Sequence, residues 1–211
     1  VLTISREVGC NGVKLAHKIA SRLNKNNATP DWKVLSKEIF FEIARELDLE
    51  PEKVRRIFKQ SDSYAFNEIL NAFSNRNYKS EKKIVKTVND VIRTFSTEGF
   101  CIIVGRGGHI IAHDIKNALH LRLVAPIEFR IKTIMFNNHL NREEAINFIK
   151  KVEKERLAFR KSIGHIEDED DMFDMFINRA SFNDDKTIDL IETAIEKKNI
   201  LKDYGTKIDY Y

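Results

Sequence analysis

Only two cysteines, Cys10 and Cys101, occur among the 211 residues, and neither sits in a metal-type spacing. That excludes a disulfide framework and a zinc motif. Such sparing cysteine use fits a cytoplasmic protein. Proline is scarce, at three residues, and no low-complexity tract or internal repeat is present, which argues against a disordered or linker-rich chain. No apolar run approaches the roughly 20 residues that span a bilayer. The amino end has no signal-peptide layout, although the chain starts at Val1 rather than methionine, which leaves room for native residues before it. A strong charge of one sign is missing too. The 36 lysines and arginines stand against 32 acidic residues, for a formal net charge of +4. That suits a phosphorylated small molecule and is too weak to point to nucleic acid.

What is present starts at the amino end, VLTISREVGCNGVKLAHKIASRL. Val1 to Ser5 form a short apolar run expected to be a strand, and Leu15, Ile19 and Leu23, with Ala16 and Ala20, repeat at helical spacing. Between them lies a glycine turn. Gly9 and Gly12 allow backbone conformations closed to other residues, so several amides can point into one small space at the helix start. That space favours an anion, most often a phosphate. The full phosphate-loop pattern GxxxxGK[ST] is nevertheless incomplete, with Glu7 in place of the first glycine, Val13 in place of lysine and Lys14 in place of the hydroxyl. A glycine turn of this kind without a ligand is common in α/β proteins, so the turn alone leaves both readings open.

With 42% hydrophobic residues the chain can bury one core, with or without an inserted subdomain. Trp32 to Leu35 reads as a second short strand. Ser36 then caps a helix bearing Ile39, Phe40, Ile43 and Leu47, and Pro51 opens another with Val54, Ile57 and Phe58. Helical patterns continue at Tyr64 to Phe73 and at Ile84, Val88, Val91, Ile92 and Phe95, with no strand signal between residues 36 and 98. Phe100 to Val104 is an unbroken apolar run, as in a strand buried on both faces of a parallel sheet. It opens into Gly105, Arg106, Gly107 and Gly108. An arginine there stands where open α/β sheets bind ligands, and its planar fork matches phosphate; the alternative is pairing with a structural carboxylate.

Leu119 to Val124 is the next strand, and Pro126 opens a helix with Ile127, Arg130, Ile131 and Ile134. Asn141 and Glu144 resemble a capping box at the start of a long charged helix reaching about Arg160. Lys154, Arg156, Arg160 and Lys161 gather cations near its end. GHIEDEDD, residues 164–171, is expected to be a solvated acidic loop. Met172 to Ile177 is expected to be the last strand, and Asp184 and Asp185 begin a final helix with Ile188, Ile191 and Ile195. His109 and His113 are four apart, as metal ligands on a helix are, but with no third ligand they read better as surface or core histidines. Cys10 is either a thiol whose pKa falls at a helix start or a small residue filling the turn.

Together these landmarks resemble the cytidylate kinase-like family of P-loop nucleoside monophosphate kinases. The family opening, ISREYGSGG, is similar to Ile4, Ser5, Arg6, Glu7, Val8, Gly9, Cys10, Asn11 and Gly12; VIVGR matches Ile102 to Arg106; and APLEFRI matches Ala125 to Ile131. A later echo runs through Arg156, Arg160, Asn178, Arg179 and Ala180. The resemblance implies an α/β, three-layer P-loop kinase fold, with a five-stranded parallel sheet and helices on both faces. It implies a single domain over 1–211, with a core of 1–36, 99–137 and 172–200, a helical acceptor-binding region at 37–98 and a lid at 138–171. It further implies ATP and Mg2+ as cofactors, a small-molecule nucleotide as substrate, and no nucleic-acid or membrane partner.

Residue by residue, the implied donor-phosphate turn is Gly9, Cys10, Asn11, Gly12 and Val13, with Arg6 or Lys14 replacing the missing cation. Gly105, Arg106, Ser36 and Arg130 would serve the acceptor, and Arg156 and Arg160 would close over the transferred phosphoryl group. The expected activity is ATP-dependent phosphoryl transfer to a nucleoside monophosphate, cytidylate-like, or to a similar phosphorylated acceptor. Asn11 replaces a loop glycine, and the departures at Val13, Ser36 and Gly107, the last in place of the aspartate of true cytidylate kinases, leave a second reading as a catalytically weak nucleotide-binding regulator on the same fold; the helical block of residues 36–98 leaves a third, a helical interaction module.

Overall fold

A computed structural model of the chain describes residues 1–25, 30–36, 81–163 and 168–201. The helices expected after Ser36, from Pro51 and at Tyr64 to Phe73 lie outside the described residues. Five strands form one sheet: β1 (Leu2–Arg6), β2 (Lys33–Leu35), β3 (Cys101–Val104), β4 (Leu119–Val124) and β5 (Met175–Asn178). All pairings are parallel, in the order β2-β3-β1-β4-β5.

The alternation of β1 divides the molecule into layers. Leu2 is level with Ile102 and Leu119, and Ile4 with Val104 and Leu121. These side chains share one buried cluster with Leu15, Ala16 and Ile19 of α1 (Gly12–Leu23). A C-terminal helix, Asp184–Lys197, adds Ile188, Ile191 and Ile195 to the same cluster. Burying each such aliphatic side chain is worth roughly 1.5–3 kcal/mol, so this face carries much of the fold's stability.

The odd positions of β1 face the other way and are polar. Thr3 is level with His120, its hydroxyl 2.8 Å from Nδ1, and Ser5 is level with Arg122, whose Nη1 donates to Ser5 Oγ at 2.9 Å. This face is covered by α2 (Glu81–Glu98) and the short α3 (Gly108–Ile111). Contact there is close: a Cβ on Gly108 would lie 2.7 Å from Cγ2 of Ile103.

Beyond β4, α4 (Ile127–Asn138) and α5 (Arg142–Ile163) pack on each other through a second cluster of Ile131, Ile134, Ala145, Ile149 and Val152. The capping box at the start of α5 forms as expected. Glu144 N–H donates to Asn141 Oδ1 at 3.0 Å, and Asn141 N–H donates to Glu144 Oε2 at 2.8 Å. The C-terminal helix is α6, capped by Asn183, which accepts from Lys186 N–H.

The last strand departs from expectation. It begins at Met175 rather than Met172, because Asp170–Met172 forms a 3-10 turn in which Met172 and Phe173 N–H donate to the carbonyls of Glu169 and Asp170. Pairing with β4 starts where Asp174 N–H reaches the His120 carbonyl at 2.8 Å. No helix among the described residues is long and apolar enough to cross a membrane.

Candidate active site

β1 and β3 are neighbours, but the chain leaves them on opposite faces, into α1 after β1 and into α3 after β3. A crevice opens at the carboxyl ends of such a strand pair, and open α/β sheets bind ligands there. Here the crevice is a small cleft of about 50 Å3. Ser5, Arg6, Gly105, Arg106 and Gly107 line its sheet side, and Arg156, Phe159 and Arg160 of α5 face them.

Arg6 ends β1 and runs across this crevice. A Cβ on Gly12 would lie 3.1 Å from Arg6 Cδ, and a Cβ on Gly105 would collide with Arg6 Nη1. The side chain therefore passes from the start of α1 to the turn after β3. Gly105 has a positive φ of 77° and holds that turn without a side chain in the way of the guanidinium.

The turn after β1 is built to leave amides open at the head of α1. Asn11 is the N-cap residue in a left-handed conformation, yet its side chain makes no cap hydrogen bond; its Oδ1 instead accepts from Asn137 Nδ2 at 2.8 Å. The first intrahelical donor is Leu15 N–H, to the Asn11 carbonyl. The amides ahead of it have no partner within the helix, which is the arrangement that receives a phosphate. The donor set of the turn thus fits an anionic group such as a phosphate.

Behind the turn stands a charged brace. Val8 N–H donates to Glu153 Oε1 at 2.7 Å, Arg130 Nη1 donates to the same oxygen at 3.2 Å, and Arg130 Nε lies 3.5 Å from Glu7 Oε2. Glu7 Oε2 also accepts from Ala125 N–H at 2.9 Å. Glu7, in the place of a loop glycine, therefore ties the turn to the end of β4. One helical turn beyond Glu153, Arg156 Nη1 donates to the Arg6 carbonyl at 3.0 Å. Burial lowers the Arg156 pKa, opposed by the Glu153 carboxylate.

At the far end of α5, Arg160 Nε lies 2.7 Å from Glu169 Oε1 and donates to Oε2 at 3.0 Å. Glu169 also meets His109 Nε2 at 2.9 Å. His109 is buried, with its ring centroid 4.5 Å from that of Phe173. Burial pushes the His109 pKa down, opposed by the hydrogen bond and charge of Glu169. For Glu169, burial alone would raise the pKa, but the His109 hydrogen bond and the Arg160 charge outweigh it and the pKa falls. The pair is therefore an ionised carboxylate accepting from a neutral imidazole at neutral pH, which assigns the proton to Nε2.

Of the residues expected from the sequence, the structure brings Arg6, Gly105, Arg106, Arg156 and Arg160 to one cleft beside the turn of Gly9 to Val13. It does not bring Gly9, Cys10, Asn11, Gly12, Val13, Lys14, Ser36 or Arg130 to the cleft wall. Lys14 is exposed on α1, Ser36 follows β2 on the other side of β3, and Arg130 is engaged by the two carboxylates behind the turn.

One expectation is corrected, and the choice left open at Cys10 is resolved. The acidic segment 164–171 is not wholly solvated, since Glu169 is paired with Arg160 and His109; a run of like charges hides the one member that reaches inward. Cys10 is no activated thiol. It is buried in the main cluster, and burial, reinforced by Glu7, raises its pKa to about 12.

His109, Glu153, Glu155 and Phe159 were missed as site residues. Helix periodicity shows that residues 152, 156 and 159 share a face, but not what that face meets.

The model of the cytidylate kinase-like family matches residues 1–181. No curated protein matches the chain. Among solved structures, an uncharacterized protein from Eubacterium ventriosum is 21% identical, with a TM-score of 0.63 over 93% of this chain and 97% of its own. Shikimate kinase from Bacteroides thetaiotaomicron is 10% identical, with a TM-score of 0.52 over 92% and 97%. These likenesses concern the fold, which is the α/β parallel-sheet architecture of P-loop kinases.

Proposed function

The chain belongs to the cytidylate kinase-like family, and from that membership we propose that it transfers a phosphoryl group from ATP to a nucleoside monophosphate or a similar small phosphorylated acceptor. The observation that carries this reading is the course of Arg6, whose guanidinium reaches from the head of α1 to the turn of Gly105 and Arg106. A cation there stands between a donor on the first turn and an acceptor on the second.

In this reading the amides of Gly12 and Val13 receive the donor phosphates, and Arg6 supplies the positive charge that Val13 lacks. Arg106 holds the acceptor's phosphate, while Arg156 and Arg160 neutralise charge on the transferred group. ATP, when bound, supplies the γ-phosphoryl group and departs as ADP. An acceptor phosphate oxygen forms the new bond as the bond to ADP breaks, so positioning and charge are what the protein provides. Region 37–98 would complete the acceptor site, and segment 138–171 would act as the lid.

Magnesium fits less well. Lys14 stands where a metal-binding hydroxyl belongs, and the described residues hold no cluster of three or more histidine, cysteine or acidic ligands. No step is assigned to the metal.

ADP formation over a panel of nucleoside monophosphates tests the reading. Turnover with at least one acceptor is expected, falling about 10³-fold in Arg6→Ala. A folded chain that binds ATP yet forms no ADP with any acceptor would contradict transfer and support a regulatory nucleotide-binding protein.

A further inference from the structure

We propose that Glu169 is a positioning residue that aims Arg160 into the cleft, an inference resting on the phosphoryl-transfer reading above. Long arginine side chains near a helix end are costly to hold in one rotamer, because ordering them loses side-chain entropy. Arg160 lies four residues beyond Arg156 on the same face of α5, and it reaches the cleft beyond the brace of Glu153 and Arg130.

The carboxylate takes Arg160 by the side, through Nε. No pairing of Glu169 with the terminal Nη groups is found, and these are the edge of the fork that matches a phosphoryl group bidentately. Glu169 is itself fixed from behind. His109 donates to its Oε1, which Arg160 Nε also approaches; the His109 ring packs on Phe173; and Arg122, bonded to Ser5 of β1, lies 5.5 Å from the Phe173 ring. A chain of contacts therefore runs from the rigid sheet through Phe173, His109 and Glu169 to the lid arginine.

A competing role for the same contact is that Glu169 acts as a stand-in anion which substrate must displace. The two roles predict opposite signs. If Glu169 positions Arg160, losing it weakens anion binding; if it competes, losing it tightens binding.

The probe is inorganic tripolyphosphate, titrated calorimetrically into the wild-type chain, Arg160→Ala, Glu169→Ala, Glu169→Gln and the Arg160→Ala/Glu169→Ala double variant. Thermal midpoints are measured on the same samples. We expect Kd to rise about tenfold in Glu169→Ala and in Arg160→Ala, and no further in the double variant, because the first residue acts only through the second. Glu169→Gln keeps an acceptor for Nε and recovers part of the loss.

A purely structural role would shift the midpoint and leave Kd in place. Unchanged or tighter binding by Glu169→Ala overturns the proposal, as does simple additivity in the double variant. Failure of the wild-type chain to bind tripolyphosphate overturns the phosphate-site reading itself, and this inference with it.

Discussion

His120 shows how far a single position can depart from its residue type. It lies on the polar face of β4, 6% exposed, between Thr3 and Asp174. Burial lowers its pKa from 6.5 to about 4, with the Asp174 charge opposing. An unfolded imidazole takes up a proton below pH 6.5, whereas the folded one does not until about pH 4. Acidification through that window therefore favours the unfolded state. The full separation is worth about 3 kcal/mol. The stability contributed here is present above pH 6.5 and lost on the way down to about pH 4. The expected outcome is a His120 ring resonance with its midpoint near pH 4, accompanied by falling resistance to urea; a midpoint above about pH 6 would show that the imidazole is not sealed in the sheet. Neither this environment nor that of Cys10 can be read from sequence, because strand alternation shows which side a residue takes, not how tightly that side is covered.

At the scale of elements, the turn between β1 and α1 is held by packing as well as by glycine's freedom. Gly9 has φ 96°, and a Cβ there would lie 2.8 Å from Arg130 Cα and 2.9 Å from its Cβ and carbonyl oxygen. These are atoms of α4 that cannot swing away. Gly9→Ala is expected to cost about 3 kcal/mol, combining backbone strain with overpacking. Urea unfolding checks this, and a loss below about 0.5 kcal/mol would show that α4 yields. At Gly12 the nearest atoms are instead Cδ and Cγ of Arg6, a flexible chain that can give way.

The elements were legible where local physics decides them. The capping box of Asn141 and Glu144 and Pro126 before α4 stand as the sequence indicated, and the apolar run forms β3 from Cys101, with Phe100, at φ 44°, just outside the strand. The start of β5 was not, because Met172 and Phe173 look like strand residues but serve a 3-10 turn and a ring contact with His109.

For the molecule as a whole, the order of motifs carried the fold: a turn after one central strand, a Gly-Arg turn after its neighbour, and an arginine-bearing helix. The sheet order confirms why these belong together, since β1 and β3 are adjacent although about a hundred residues separate them in sequence. The sequence could not choose between Arg6 and Lys14 as the replacement cation. That choice depends on the crossing of two turns, and the path of Arg6 past Gly12 and Gly105, with Lys14 exposed on α1, is what supports Arg6 in the proposed role. Glu153 and Glu169 were likewise hidden, because their partners lie in distant segments and a charged helix face or acidic run looks solvated when read alone.

The central claim is that the first turn and Arg6 together form the donor-phosphate site. The most direct test is calorimetric titration of ATP with magnesium into the wild-type chain, Arg6→Ala and Lys14→Ala. The account predicts saturable binding by the wild-type chain, a Kd raised about tenfold or more in Arg6→Ala, and no appreciable change in Lys14→Ala. Equal binding by wild type and Arg6→Ala, or a loss confined to Lys14→Ala, would contradict it.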